Sequence, residues 1–461
     1  MENIQENKMG TQPINKLLLS ISLPIMISML VQALYNIVDS VFVAKINENA
    51  LTAVSLAFPV QNLMIALGAG TGVGINSLLS KSLGEKNYEQ ANKSANNGLF
   101  LVIVNTVVFV LFGLLFVNIF YNAQTKSDSI LPENVAQIKE YGKQYLSVIS
   151  IFSVGLFSQI TLERLLQSTG KSVYSMITQT TGAVINIVLD PCFIFGLGFF
   201  PKLGVTGAAV ATVIGQICAA SLALFFNIKV NKEIHINPVK YKPEKSTIGK
   251  IYAVGLPSII MQSIGSVMTY ALNKLLIEFS STAVALFGVY FKLQSFVFMP
   301  IFGLNNGMIP VVAYNFGARK KERIMKTIKL ACIYAVSIMI VGVIIMQLFP
   351  GQLLKLFSAG DEMMKMGIFA LRIISIHFVF AGVSIVLTGA FQALRHGIFS
   401  MIVSFIRQLV VLIPAAFVLA KLGGINAVWW CFPIAEIVSI TLCIIFFLKI
   451  KRKQIDTLEE N

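Results

Sequence analysis

Three polar side chains within apolar stretches of the sequence carry oxygen atoms that could bind a cation. Asn186 and Asp190 lie one helical turn apart, and Pro191 follows directly. A proline inside a helix frees a backbone carbonyl one turn earlier, here near Ile187 and beside those two side chains. Asp39 is the third residue, in the first long apolar stretch. Carboxylate, amide and carbonyl oxygens suit Na⁺, and a buried carboxylate also binds a proton, so the set fits either ion.

Two further polar residues precede Asp39 on the same predicted helix. Gln32, Asn36 and Asp39 are spaced i, i+4 and i+7, so they share one helical face. Asp39 and Asp190 are the only acids expected deep in the first half of the chain. An alternative stays open, in which they are satisfied by hydroxyl groups or by a lysine from the other half. The absence of a basic residue at similar depth in the first half favours the cation site.

The second half of the chain has a different set of charges within its apolar stretches. Its only deep acid is Glu436, and its deep bases are Lys274, Lys292, Arg372 and Arg407. Ionisable groups are costly in hydrocarbon and are functional candidates. These bases could bind anionic groups or lock two parts of the molecule together, or they could snorkel or pair with Glu436. His377, alone on an apolar helix, is interpreted as a core residue and not as a proton relay.

The composition indicates which elements position these residues. Of the 461 residues, 56% are hydrophobic and only 12% are charged, which is too few charges to cover a water-soluble fold of this length. Apolar runs long enough to span a bilayer recur, so we predict an all-α polytopic membrane protein with 12 transmembrane helices. The predicted spans are 17–44, 50–80, 94–121, 141–162, 172–198, 204–228, 249–277, 281–312, 326–349, 364–389, 397–420 and 424–448.

The basic residues indicate the orientation in the membrane. The net charge of +15 comes from lysines and arginines in short runs between the apolar stretches, a pattern typical of cytoplasmic loops and not of a nucleic-acid groove. If the N-terminus lies in the cytoplasm, most of these lysines and arginines lie on the cytoplasmic side of the membrane. The longest loop on the other side, about 122–140, also carries acidic residues. We therefore predict a multi-pass protein of the bacterial cytoplasmic (inner) membrane with both termini in the cytoplasm.

The two halves of the chain repeat each other. A shift of 233 residues matches Pro24 with Pro257, Gly84 with Gly317 and Lys86 with Arg319, and a shift of 225 matches Gln167 with Gln392. We predict two pseudo-symmetric six-helix lobes, 1–228 and 251–461, joined by a polar cytoplasmic linker, 229–250. Parallel repeats of this kind suit two lobes that rock about a central substrate cavity.

We expect the substrate cavity to be lined by polar and methionine side chains from both lobes. Methionine offers a soft surface that accepts varied ligands. The expected cavity residues are Met29, Gln32, Asn36, Gln61, Met64, Met176, Lys274, Lys292 and Gln294.

Three longer segments resemble the multidrug and toxic compound extrusion (MATE) transporters: ERLLQSTGKS at 163–172, NIVLDPCFIFG at 186–196 and GVTGAAVAT at 204–212. The likeness covers nearly the whole chain and is closest to the bacterial branch with a first-lobe aspartate site. The resemblance implies exchange of Na⁺ or H⁺ for cationic, amphipathic drugs. One departure is that Lys274 and Lys292 occupy the region of the acidic second-lobe cluster found in the other bacterial branch. The coupling-cation site that the resemblance implies consists of Asp39, Asn186, Asp190, Ala208 and Thr212, with the first three as ligands if the ion is Na⁺.

The sequence thus predicts a cation-coupled antiporter that exports small amphipathic compounds, works as a monomer and needs no cofactor. A lipid-linked saccharide flippase of the same superfamily is the alternative. An enzyme is not expected, because no catalytic constellation or sizeable polar loop is evident. The glycines between Gly68 and Gly74 lack the Lys-Ser of a phosphate-binding loop, so ATP is not expected to drive transport. The substrate and the choice between Na⁺ and H⁺ stay open.

Overall fold

The computed structural model describes residues 7–125, 132–237, 239–357 and 359–459, and within these ranges all regular secondary structure is helical. In the first half the helices are α1 (Lys8–Thr11), α2 (Ile14–Ala44), α3 (Glu48–Gly84), α4 (Tyr88–Leu115), α5 (Val117–Gln124), α6 (Pro132–Ile151), α7 (Val154–Ser168), α8 (Ser172–Phe195) and α9 (Val205–Lys229). In the second half they are α10 (Lys245–Leu276), α11 (Ser281–Gly317), α12 (Lys321–Leu348), α13 (Pro350–Lys355), α14 (Asp361–Ser375), α15 (Phe378–Ala393), α16 (Gly397–Phe405), α17 (Ile413–Val428) and α18 (Cys431–Ile450). Two π-helical segments, Ile406–Leu412 and Lys451–Ile455, continue α16 and α18.

The predicted number of membrane spans is confirmed. Ten helical segments of the described chain are each long and apolar enough to cross a bilayer. Two further spans are bent, by 45° between α6 and α7 and by 46° between α14 and α15. Counting each bent pair as one span gives twelve. The two breaks are equivalent in the repeat, because the shift of 225 carries Phe152 onto His377.

Four turns between spans show the repeat in the backbone. Lys86 and Arg319, which match at a shift of 233, both adopt left-handed φ angles, 58° and 57°. Gly170 and Arg395, which match at a shift of 225, do the same, with φ of 81° and 66°. In each turn the amide of the next residue donates to the carbonyl five residues back, at 2.7–2.9 Å. This is the Schellman helix end, so each half closes two of its helical hairpins in the same way.

Contacts divide the chain into two compact units. One contains Ile27–Leu79 and Tyr88–Ile251, and the other contains Met1–Met26, Ser80–Asn87 and Tyr252–Asn461. We call them the first-half unit and the second-half unit, after the part of the chain that dominates each. The lobe limits proposed from the sequence, at residues 228 and 251, stay a prediction.

The segment before α2 is anchored to second-half helices. The Asn315 amide donates to the Met9 carbonyl at 3.0 Å. Arg323 donates to the same carbonyl at 3.0 Å and to the Gln12 carbonyl at 2.8 Å. These bonds, with the full burial of Met9, explain why the start of the chain groups with the second-half unit.

Candidate functional site

Close packing of α8 against α9 positions the first part of the candidate site. A Cβ added to Gly215 would lie 2.7 Å from the Gly182 carbonyl oxygen and 3.2 Å from the Asn186 Cβ. Only glycine allows this approach of the two backbones, which is the small-residue packing typical of membrane helices. The approach brings Thr212, on α9, beside Asn186, on α8.

The Asn186 side chain ties the two helices together. Its amide nitrogen donates to Asp190 Oδ1 at 3.3 Å and to Thr212 Oγ1 at 3.2 Å. Both Asn186 and Asp190 are buried, and Ala208 is fully buried one turn before Thr212. Because the amide nitrogen is used for these two bonds, Asn186 presents only its carbonyl oxygen, Oδ1, as a further ligand.

Asp39, on α2, completes the cluster. Its carboxyl group lies within hydrogen-bonding reach of the Asp190 carboxyl. Asp39 Oδ1, Asn186 Oδ1 and Asp190 Oδ2 are all buried, and none accepts a hydrogen bond from a described residue. Three buried acceptors without donors are unusual, because a buried polar group that lacks a partner is costly. A bound proton or cation would supply what these oxygens lack.

Among the described residues, neither Asp39 nor Asp190 forms an ion pair with a lysine or arginine. The described chain also brings no three His, Cys, Asp or Glu side chains together in a metal-binding group. A Na⁺ ion at this site would therefore need amide or hydroxyl oxygens besides the two carboxylates, and Asn186 and Thr212 carry such oxygens.

The other predicted first-half residues lie in the same unit as this cluster. Gln61 donates to the Tyr145 hydroxyl at 2.9 Å, and Gln179 donates to Gln32 at 2.9 Å. Met64 is buried and Met29 is half-buried. Asn36 is exposed, and its backbone carbonyl accepts a hydrogen bond from the Ser40 hydroxyl. Of these two pairs, only Gln61–Tyr145 is linked to the site, because the charges of Asp39 and Asp190 act on Tyr145.

One face of α8 lines an open pocket of about 350 Å³. Its wall is mainly aliphatic, with two threonines, and includes Met176. The lining residues are Met176, Ile177, Thr180, Thr181, Val184 and Ile185.

The predicted second-half residues belong to the other unit. Lys274 and Lys292 are exposed, and the Lys292 ammonium lies 5.9 Å from the centroid of the Phe357 ring. Gln294, on α11, is half-buried. Arg407 pairs with Glu436 at 3.2 Å, one of the alternatives that the sequence left open.

One expectation about the deep acids was wrong. Asp190 is buried and Asp39 is half-buried, but Glu163 is a further buried acid of the first half and accepts bonds from Gln159 at 3.1 Å and Thr178 at 3.2 Å. The predicted span ended at residue 162, but α7 continues to Ser168 and carries Glu163 inside the packed helices.

Two tyrosines near the carboxylates were also missed. The charges of Asp39 and Asp190 act on both Tyr35 and Tyr145. Tyr35 lies one turn before Asp39, so helical spacing from Gln32 and Asp39 would have found it. Tyr145 is distant in sequence from Asp39 and Asp190, and no sequence spacing indicated it.

Known proteins resemble this chain over its whole length. A model of the MatE family matches residues 24–192 and 257–418. The multidrug export protein MepA of Staphylococcus haemolyticus (strain JCSC1435) is 28% identical over 439 residues, which cover 95% of this chain and 94% of that protein. A solved multidrug resistance MATE family transporter of the MOP superfamily, in an outward-facing conformation, has a TM-score of 0.89 and 26% identity and covers 100% of both chains. The MATE multidrug transporter DinF-BH, solved in complex with a ligand, has a TM-score of 0.87 and 31% identity and covers 99% of this chain and 100% of that one. With its twelve spans and this match, the chain belongs to the MatE family and is a membrane transporter, not an enzyme.

Proposed function

We propose that the protein exports small amphipathic drugs in exchange for Na⁺ or H⁺, by exposing its binding sites to the two sides of the membrane in turn. The observation that carries this proposal is the group of three buried acceptor oxygens on Asp39, Asn186 and Asp190. Two adjacent carboxyl groups repel each other when both are ionised, and burial makes that repulsion stronger. A site of this kind is unfavourable when empty and is stabilised by one bound cation or proton.

The residues around the carboxylates have distinct roles in this proposal. Asn186 holds Asp190 and Thr212 in position and offers its carbonyl oxygen to the ion. Pro191, inside α8, removes one helical hydrogen bond and lets the helix bend beside the site. Occupancy of the site then shifts the balance between two helix arrangements, and drug binding favours the other arrangement. Antiport follows, because the two ligands destabilise each other's binding.

The proposed substrates are small, amphipathic and cationic. The aliphatic pocket along α8, with Met176 in its wall, suits the apolar part of such a molecule. MepA is named as a multidrug export protein, and DinF-BH is named as a multidrug transporter. No observation on this chain favours the saccharide flippase. Lys274 and Lys292 are proposed to select among substrates and not to drive transport.

The proposed location is the bacterial cytoplasmic membrane, with both termini inside. The support is the distribution of basic residues, since short loops rich in lysine and arginine remain on the cytoplasmic side. The turns at Lys86, Arg319 and Arg395 and the linker all belong to the basic side. We propose that the protein functions as a monomer.

The coupling site is tested with Asp39→Asn and Asp190→Asn in everted vesicles. Dye transport is measured with a pH gradient and a Na⁺ gradient imposed separately, which also identifies the ion. Each variant should lose at least about tenfold of its gradient-driven transport, since loss of one charge–ion contact of about 1.4 kcal/mol already changes occupancy tenfold. Drug binding to the purified variants should persist but lose its dependence on pH or Na⁺.

The matched control is Asp361→Asn, at an exposed aspartate in the first turn of α14. It should transport like the unmodified protein. Gradient-driven transport at the normal rate by both Asp39→Asn and Asp190→Asn would rule out the cluster as the coupling site. Loss of membrane insertion is not expected, because asparagine is less costly than aspartate in lipid.

A further inference from the structure

The second-half unit contains a buried ion pair with one bare oxygen. Glu436, on α18, is 2% exposed, and its Oε2 lies 3.2 Å from Arg407 Nη1. The other oxygen, Oε1, is buried and accepts no hydrogen bond within the described ranges. An ion pair in a low-dielectric interior is stable only when its remaining acceptors are also satisfied. The carboxylate is therefore only half compensated.

Arg407 lies in an unusual backbone segment. The π-helical segment Ile406–Leu412 follows α16, and Arg407 is its second residue. Segments of this kind inside α-helices are rare and occur frequently at functional sites. The arginine side chain is 28% exposed, whereas that of Glu436 is 3% exposed. The guanidinium of Arg407 thus has room to move, whereas the Glu436 carboxylate is enclosed.

Polar groups without partners gather around this pair. The Tyr290 hydroxyl, on α11, and the Ser439 hydroxyl, one turn after Glu436, are buried and form no hydrogen bond to a described residue. The charges of both Glu436 and Arg407 act on Tyr290. Several uncompensated polar atoms around one carboxylate indicate a site that changes its state, since a purely structural pair would be expected to have its atoms satisfied.

Three other titratable groups approach from the packed elements. His377, just before α15, is buried, and its Nδ1 faces the Ile374 carbonyl. Cys443 lies two turns along α18, and Cys431 begins that helix. Both Glu436 and Arg407 interact electrostatically with His377 and with Cys443. Cys431 interacts electrostatically with Tyr290. His377 is the rival candidate, because histidine titrates near neutral pH.

We propose that Glu436 is a second proton-binding site and that its protonation releases Arg407. The proton bonds to the bare Oε1, and the carboxyl becomes neutral. The net charge of the pair then changes from zero to +1. The Arg407 guanidinium carries this charge, and the neutral carboxyl no longer attracts it as an ion. This inference rests on the proposed coupling of transport to a cation, and it adds a site in the half of the chain that lacks Asp39 and Asp190.

The two tryptophans of the chain allow a direct test. Trp429 and Trp430 immediately precede α18, and Trp429 is buried. Intrinsic fluorescence of the purified protein therefore reports on the helix that carries Glu436. In a pH titration without drug, the unmodified protein should show a reversible transition. Glu436→Gln should abolish it, whereas His377→Gln and Asp39→Asn should keep it.

A second variant serves if Glu436→Gln does not fold. Arg407→Gln removes the cation that pairs with the carboxyl, so the midpoint of the transition should change. An unchanged transition in Arg407→Gln, or its persistence in Glu436→Gln, would overturn the proposal. Loss of the transition in His377→Gln with its survival in Glu436→Gln would assign it to the histidine. Loss in Asp39→Asn would assign it to the first-half site, so failure here is distinct from failure of the coupling site.

Discussion

Three basic residues occupy backbone positions that normally belong to glycine. Lys86, Arg319 and Arg395 have left-handed φ angles at the ends of helices, and Gly170 fills the equivalent place in the fourth turn. For a residue with a Cβ this conformation costs roughly 1–2 kcal/mol. All three lie in loops that we propose to be cytoplasmic, where lysine and arginine favour the inside orientation.

Replacing such a residue with glycine should stabilise the fold. Lys86→Gly and Arg319→Gly remove the strain but make the unfolded chain more flexible, which leaves a net gain of about 0.5–1 kcal/mol each. The measurement is thermal unfolding of the purified protein. The control is Lys326→Gly, an exposed position inside α12, which should lose about 1 kcal/mol. Equal destabilisation by all three variants would contradict the role assigned to the turns.

At the residue scale the sequence predicted the group of Asp39, Asn186 and Asp190 but not all of its neighbours. Asn186 and Asp190 share a helix, and their bond follows from the spacing of one turn. The contact with Thr212 was expected only from the family resemblance, because it depends on glycine packing between α8 and α9. Glu163 was missed because hydropathy places the end of a span at the first charged residues, although the helix continues beyond them.

At the scale of the elements, hydropathy predicted the number and approximate positions of the membrane-spanning helices. The twelve spans follow from apolar runs of sufficient length. The bends did not follow, because the breaks at Phe152–Ser153 and Ile376–His377 contain neither proline nor glycine. Composition also gave no sign of the π-helical segment that carries Arg407, since that backbone geometry depends on packing against neighbouring helices.

The linker between the halves was predicted as a polar connection, and the structure shows that its backbone is held. Asn92 accepts a hydrogen bond from the His235 amide at 2.6 Å. Asn96 donates to the His235 carbonyl at 2.9 Å and accepts from the Asn237 amide at 2.8 Å. Both asparagines are buried on α4. The two asparagine side chains bind backbone amide and carbonyl groups of the linker, as the backbone of a neighbouring strand would. The linker sequence did not indicate this contact.

The combined variant Asn92→Ala and Asn96→Ala should release the linker. Each buried backbone group left without a partner costs about 1–3 kcal/mol, enough to favour local opening. Limited trypsin digestion should then cleave at Lys232 or Lys240 several-fold faster. Asn118→Ala, at an exposed position on α5, is the control and should leave the cleavage rate unchanged. Unchanged cleavage in the double variant would mean that these bonds do not hold the linker.

At the scale of the whole molecule, the internal repeat produces a reciprocal contact. A Cβ added to Gly84 would lie 1.9 Å from the Tyr314 carbonyl oxygen, and one added to Gly317 would lie 2.1 Å from the Lys81 carbonyl oxygen. The shift of 233 that matches the two glycines also matches Lys81 with Tyr314. The ends of α3 and α11 therefore meet about a local pseudo-twofold axis within the second-half unit. Gly84 and Gly317, the glycine pair that helped to reveal the repeat in the sequence, are the residues that this close approach requires.

The contact between α3 and α11 should tolerate no added methyl group. Gly84→Ala and Gly317→Ala each place a carbon against a backbone oxygen, which cannot rotate away, so we expect a loss of about 1–3 kcal/mol in unfolding free energy. Gly288→Ala is the matched control on α11, because a Cβ there meets no atom within 4 Å. An alanine at that helical position should gain about 0.5–1 kcal/mol instead.

Thermal unfolding of the three purified variants separates the two cases. If Gly84→Ala and Gly317→Ala unfold at or above the temperature of the unmodified protein, the helix ends are not packed as described. Because the two clashes lie in one reciprocal contact, the double variant should lose less than the sum of the single losses.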